Sequence, residues 1–279
     1  MQNKYSYNLI KWSLRKLKLP IKSNALVLDV CSGSSPHPAA DVVLEKYVDT
    51  THCYEPLVAD RPTVLADACK MPFMDKAFDY IIASHVLEHI NTPELFLKEL
   101  QRVGKAGYIE TPNAIFEGLV PYNVHVLEIM NSNNELIIHK KSSPRPDNFI
   151  NNLEVVKQIP VWNKFFYNNP ELFQVRYFWN DKLNYKIVNP ELNPDWINNI
   201  GITTSDEIST KCKGDNPRSL GLKLLRKIYK WRRRTEVNLL DILSCPECHS
   251  GLIKKIIIWY VKPVKRNILP THCLILTGI

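Results

Sequence analysis

From residue 25 to residue 113 the chain alternates short apolar runs, turn clusters and one helical stripe. "ALVLDV" is a brief continuous apolar run closed by small polar residues, which predicts a strand covered on both faces. "DVVLEKY" predicts a second strand and "YIIASHV" a third, the latter preceded by the turn-like "FMDKAFD". Thr92-Pro93 predicts a helix start, with the threonine as cap and the proline at the first helical position. Leu95, Phe96, Leu100 and Val103 form its apolar stripe, and Gly104 its stop. "AGYIETPN" predicts the next strand, ending at Pro112. Strands alternating with a helix over short connections predict an α/β fold, with helices on the faces of a mainly parallel sheet.

The texture changes after Asn113. "VHVLEIM-NSNN-ELIIHKK" and "FQVRYFW-ND-KLNYKIV" both carry the strand–turn–strand pattern of β-hairpins, with Asn-rich or Asn-Asp turns. Eight aromatic residues fall between Trp162 and Trp179, dense enough to form either a subdomain core or a pocket lid, and the core is the commoner fate. A Pro/Asn-rich linker is expected near 189–217. The organisation expected is a first domain over 1–190, comprising a cofactor half (25–113) and a hairpin and aromatic region (114–190). A linker and basic amphipathic helix (191–235) and a cysteine-bearing tail (236–279) follow.

Composition refines this picture in two places. The 279 residues, 45% of them apolar, suffice for one full core and a small appendage. The net charge of +8 is local: ten Lys/Arg against one acid between Lys211 and Arg234 leave that segment at +9 and the rest near −1. From Leu222 to Arg234 the apolar and basic residues take opposite sides of a helix, Arg232 alone breaking the division. Such a helix (220–234) suits peripheral contact with an anionic membrane surface or a phosphate backbone, or packs its stripe on the domain and leaves its lysines in water. No apolar run reaches the roughly 20 residues of a membrane span. The N-terminus lacks the continuous core of a cleavable signal, and the seven cysteines are unevenly spaced, so a cytoplasmic location is expected, peripheral to the inner membrane if the basic helix docks there.

The candidate chemistry begins at "LDVCSGSSP". A turn after the first strand of a parallel sheet must bring backbone N–H groups close to a ligand, which favours small residues. Cys31, Ser32, Gly33 and Ser34 meet that need, and Glu45, ending the next strand, suits both hydroxyls of a ribose. Pro36 and Pro38 leave no room for the helix a pyrophosphate requires, so a dinucleotide is not expected.

"LDVCSGSSP", "LADACKMPFMDKAFDYIIASHVLEHI" and "ELQRVGKAGYIETPN", in this order and spacing, resemble the class I S-adenosylmethionine-dependent methyltransferases, in particular the type 11 group. The resemblance implies a Rossmann-like class I methyltransferase sheet with β-hairpin additions, and S-adenosyl-L-methionine as cofactor. It places Asp29 and the turn at Ser32–Ser34 on the methionine part and Glu45 on the ribose. Asp67 with Ala68 falls to the adenine amino group, Met71 to the ring, and His85 to the floor near the sulfonium. The family usually has glycine at the position of Cys31. A base is needed only for a poorly ionised acceptor; the candidates are His85, Glu88, His89 and His125, with His85 favoured as the catalytic residue because it closes a strand. The His85, Glu88, His89 spacing also matches a zinc-protease signature, which would need both histidines on one long helix.

"NLLDILSCPECHSGLI" (238–253) resembles the start of a small zinc-ribbon family that activates methyltransferases. Cys245 and Cys248 suit half of a tetrahedral zinc site; only His249, His272 and Cys273 remain nearby and no second C-x-x-C follows, so either the metal site is degenerate or "NLLDIL" and the knuckle survive as a packing module. The function expected is methyl transfer to a small molecule, or to a saccharide or lipid-linked intermediate. The alternatives are an RNA methyltransferase and a non-catalytic partner that keeps the fold. Oligomeric state is not legible.

Overall fold

The computed structural model describes residues 15–47, 57, 60–144, 159–199, 237–246, 248–249 and 273–275. The basic segment 211–234 and most of the cysteine tail lie outside these. The chain divides into two compact units, one of residues 1–20, 83–94 and 108–200, the other of 21–82, 95–107 and 201–279.

The strands are β1 (Val27–Val30), β2 (Val42–Glu45), β3 (Thr63–Leu65), β4 (Tyr80–Ser84), β5 (Ala106–Pro112), β6 (Leu127–Ser132), β7 (Glu135–Lys140), β8 (Gln174–Asn180), β9 (Tyr185–Ile187) and β10 (Cys273–Ile275). The helices are α1 (Pro93–Val103), α2 (Ala114–Leu119) and α3 (Pro160–Asn168). Seven strands form one sheet in the order β10-β3-β2-β1-β4-β5-β8, and three form a second in the order β6-β7-β9. β1, β2, β3 and β10 pair in parallel, with Val30 opposite Leu44 and Glu45 opposite Leu65, so β1, β2 and β3 end on one edge.

Continuous burial of β1 and β2 matches their unbroken apolar runs, as expected for strands covered on both faces. β1 and β2 are joined without a helix, as Pro36 and Pro38 dictate. Asp41 latches the start of β1 instead, accepting from the Val27 N–H at 2.8 Å and donating its own N–H to the Val27 carbonyl at 2.9 Å. Helix α1 begins at Pro93 as predicted, but its buried stripe is Phe96, Leu97, Leu100 and Val103; Leu95 is largely exposed. The 3.6-residue period decides this, because Leu97, not Leu95, lies within one turn of both Phe96 and Leu100 on the covered face.

The first predicted hairpin is present. β6 and β7 pair antiparallel around Asn133 and Asn134, both with positive φ (49° and 61°), the left-handed pair that a two-residue hairpin turn requires. The second is not. β8 joins the large sheet, whereas β9 pairs in parallel with β7, leaving a single bridge from Asn180 to Lys182 around Asp181. The four residues 181–184, the turn included, carry β9 away from β8, and the Tyr177 hydroxyl, accepting from the Asn184 N–H at 2.9 Å, fixes that departure.

The aromatic cluster is core rather than lid, yet it is partly helical. Phe116, Val120 and Phe173 are buried with Trp162 and Phe166 of α3 packed against them, and Phe116 stacks on Phe166 at 4.9 Å. Tyr177 and Trp179 are also buried. Part of the expected linker is structured: the Trp196 indole N–H donates to the Lys141 carbonyl at 2.9 Å, and Asn189 exchanges hydrogen bonds with the Lys140 backbone. Near the tail, Ile242 and Leu243 dock on the 72–74 segment through the Met74 N–H to the Ile242 carbonyl (2.8 Å) and the Ser244 N–H to the Pro72 carbonyl (3.0 Å). Within "NLLDIL" Leu243 is fully buried, whereas Leu240 is exposed.

Candidate functional site

Asp29, Glu45 and Asp67 lie in β1, at the end of β2 and just beyond β3, three neighbouring strands of one unit. The turn after β1 is built around the first two. Asp29 Oδ2 accepts from the His37 N–H at 2.7 Å, and Glu45 Oε1 accepts from the Gly33 N–H at 2.7 Å and the Ser32 hydroxyl at 3.3 Å. Arg61 secures the far side, donating to the carbonyls of His37 (2.8 Å) and Ala40 (2.6 Å). Cys31 has φ = 52° and Gly33 φ = 57°. The cysteine thus adopts the left-handed conformation that glycine takes without cost, and the Cys31 N–H still bonds the Leu44 carbonyl at 2.7 Å. The shape of the turn survives the replacement.

Burial and neighbouring carboxylates set the electrostatics of Glu45 and Cys31. Burial, then the neighbouring Asp29, push the Glu45 carboxyl up to about 7, against the stabilising Gly33 N–H and Ser32 hydroxyl. Burial and the adjacent Glu45, Asp67 and Asp29 push the Cys31 thiol well above its ordinary value. Asp67 differs: burial raises it, but the Lys46 ammonium at 2.8 Å and the Cys69 N–H at 2.8 Å outweigh that and bring it below the usual carboxylate range. Ala68 and Met71 are buried, and the Met71 N–H donates to Glu99 at 2.7 Å. A thiol held neutral reacts slowly. Iodoacetamide at pH 8 is therefore expected to label exposed Cys248 well before Cys31, read by peptide mass spectrometry; equal labelling would contradict the acidic surroundings assigned to Cys31.

The other unit holds His85, also at positive φ (59°), immediately after β4. Its Nδ1 lies 3.1 Å from Glu88 Oε1 and its Nε2 3.3 Å from Glu110 Oε1. Burial lowers its pKa, and the hydrogen bonds to Glu110 and Glu88 more than reverse this, so the imidazole favours its cationic form. Glu88 is buried, which would raise it, yet His85 and the nearby His89 and His125 hold it at about 2. Glu110 is fully buried and accepts from Arg15 Nε (3.1 Å), Arg15 Nη2 (2.9 Å) and the Tyr108 hydroxyl (2.6 Å).

His125, expected as an ordinary strand residue, instead precedes β6 and is buried with Nδ1 2.7 Å from Glu117 Oε2. Glu88 and His89 belong to a short 3-10 helix, Leu87–His89, and His85 lies outside it; the protease arrangement, which puts both histidines on one long helix, is absent. Sequence reading missed Glu110, Arg15 and Glu117. An acid between apolar residues, as in "YIETP", is the signal that marks Glu110: a charge facing a covered sheet must be paired. Cys245 is half-buried and Cys248 exposed, and the one group of metal-ligating side chains among the described residues does not include them.

Residues 37–109 match the family described as a methyltransferase domain. The chain is similar in structure to a chain of the complex between the Haloferax volcanii Trm112 methyltransferase activator and a methyltransferase, at 17% identity, covering 38% of this chain and 54% of that one, TM-score 0.30. It is similar to the PH0226 protein of Pyrococcus horikoshii OT3 (15% identity, 65% of this chain and 92% of that one, TM-score 0.38). It is similar also to a methyltransferase of Bacillus halodurans C-125 (19%, 45% and 71%, TM-score 0.32). The chain thus spans about half the length of the first of these structures. No curated protein matches it in sequence. The strand order 3-2-1-4-5, with the family match running from before β2 into β5, is that of a Rossmann-like class I methyltransferase fold.

Proposed function

We propose that this chain is an S-adenosylmethionine-dependent methyltransferase, acting on a small molecule or on a saccharide or lipid-linked intermediate. One observation carries the reading: Glu45, at the end of β2, is held against the N–H-rich turn after β1, where burial and the neighbouring Asp29 raise its pKa to about 7. The cofactor suits such a place. Its sulfonium is cationic, its ribose diol can donate to a carboxylate, and its own carboxylate can accept from turn N–H groups. Asp29 and the turn at Ser32, Gly33 and Ser34 would hold the methionine part, Glu45 the ribose, and Asp67 with Ala68 the adenine. Met71, whose side chain is part of the core, would back the ring. When bound, the cofactor supplies an activated methyl group.

The chain's own task is alignment and proton handling, and orientation alone is worth about 7–11 kcal/mol in favourable cases. His85, clamped between Glu88 and Glu110, is kept in one orientation, and the two carboxylates raise its pKa against the effect of burial. As a cation, it would hold an electron-rich acceptor oxygen; neither carboxylate, both held well below the usual range, would take its proton. The positive φ at both Cys31 and His85 supports the reading, since strained conformations gather at ligand sites. A screen of methyl acceptors with labelled cofactor tests the proposal. Label transfer to a hydroxyl- or amine-bearing acceptor, reduced at least about tenfold by His85→Gln, is the expected result. Transfer unaffected by that substitution would remove His85 from the acceptor side.

The +9 segment favours an anionic partner, and RNA is the second reading. Affinity for RNA falling steeply with added salt would support it.

A further inference from the structure

We infer that Glu88, His89 and His125 form a binding site for a first-row divalent transition-metal ion. One ligand atom from each lies within 4.8 Å of the other two. The three come from two segments of the same unit, tied together by the Val126 N–H donating to the Glu88 carbonyl at 2.8 Å.

The hydrogen bonds decide which atoms face the ion. His89 Nδ1 lies 3.1 Å from the Val124 carbonyl, which only accepts, so Nδ1 carries the proton and Nε2 keeps the lone pair. His125 Nδ1 lies 2.7 Å from Glu117 Oε2, while the Lys141 ammonium donates to the other oxygen of that carboxylate; again Nδ1 is the donor and Nε2 the ligand atom. A carbonyl or carboxylate behind each imidazole is the outer arrangement that metal-ligating histidines use.

Glu88 supplies the independent observation. Its side chain is only 2% exposed; Oε1 meets His85, and Oε2 is buried with no hydrogen-bond partner. A buried carboxylate oxygen without a partner is rare in a native fold, and a cation beside it accounts for it. The His89 and His125 rings meet edge to face at 4.7 Å, which a shared ion would also explain.

Two imidazoles and one carboxylate suit zinc, cobalt, iron or manganese better than calcium or magnesium, which favour all-oxygen sets. Ligand bonds of about 2.0–2.2 Å require the three atoms to close by ~1 Å, within reach of side-chain torsions. Three protein ligands leave positions open, the pattern of sites that take water or an oxygen-bearing ligand. That such a ligand is the methyl acceptor's oxygen rests on the methyltransferase reading; the ion site does not.

The test is a cobalt(II) titration of the full chain carrying Cys245→Ser and Cys248→Ser, followed by visible absorption, with zinc as competitor. One equivalent is expected to bind with nitrogen and oxygen ligation. Exposed His89→Ala should weaken binding at least about tenfold, and Glu117→Gln, behind His125, about 10–100-fold. No binding, or affinity unchanged by both His89→Ala and Glu88→Gln in chains folded by circular dichroism, overturns the inference. The titration needs no methyl donor, so loss of the methyltransferase reading would leave its outcome intact.

Discussion

Replacing Glu110 by Gln is expected to destabilise the protein by about 3–5 kcal/mol, read as a lowered urea midpoint with an unchanged slope. Glu110 has no exposed surface and gathers Arg15, Tyr108 and Ser84, with His85 Nε2 at 3.3 Å and Lys16 at 3.4 Å. Gln keeps the volume and removes the charge that faces the buried Arg15 guanidinium, and leaves His85 with Glu88 as its carboxylate. Burial would raise the Glu110 carboxyl, but the bond to His85 and the charges of Lys16 and Arg15 hold it far below the usual range. Arg15 shows the opposite balance, since burial lowers its pKa more than Glu110 restores it. The carboxylate gathers several donors, and the net gain sits there. The sign with pH follows: a depressed folded-state pKa gives stability that is present above the unfolded value near 4.5 and fades as pH falls below it. The gap between Glu110→Gln and the natural protein should be full at pH 7 and shrink below about pH 4.5. A gap independent of pH would mean that lost packing, not lost charge, dominates.

Glu45 is expected to behave in the opposite sense. Its folded-state pKa near 7 lies above the ordinary 4.5, so its ionisation opposes folding. The stability associated with the protonated form is complete below about pH 4.5 and lost as pH rises through 7. Glu45→Gln should therefore be more stable than the natural chain at pH 8 by about 2–3 kcal/mol and no more stable at pH 4. Cofactor affinity should move the other way. The carboxylate form accepts the ribose hydroxyls and attracts the sulfonium, so affinity falls about tenfold per pH unit below 7 and levels off above it. Glu45→Gln should weaken binding by about 1–3 kcal/mol at pH 8 and abolish that pH dependence. A variant that binds as well as the natural chain, with the same pH profile, would take Glu45 out of the site.

What the sequence disclosed and what it hid have physical reasons. β1, β2, β4 and β5 were legible because strands covered on both faces read as unbroken apolar runs, and Pro36 and Pro38 announced a helix-free connection. β3 was not: Thr63–Leu65 is three residues long behind Pro62, too short for any period to register. The Asn133-Asn134 hairpin was legible from turn chemistry alone. The fate of β9 was not, because the residues of "KLNYKIV" suit either neighbour and only the tertiary pairing with β7 chooses. At the turn after β1, residue size and the acid at Glu45 were readable, and so was the oddity of Cys31; that the cysteine would adopt a left-handed φ was a matter of backbone geometry. The ionic cluster around His85 and Glu110 stayed hidden because Arg15, Glu88 and Glu110 are far apart in sequence. Residues separated by 95 positions, as Arg15 and Glu110 are, leave no periodic trace.

A calorimetric titration of the full chain with S-adenosylmethionine, repeated with its demethylated product, tests the central claim most directly. Saturable binding of one equivalent at pH 8, weakening steadily as the pH is lowered through 7, is the predicted result. Absence of heat and of any thermal stabilisation by either compound at millimolar concentration would contradict it.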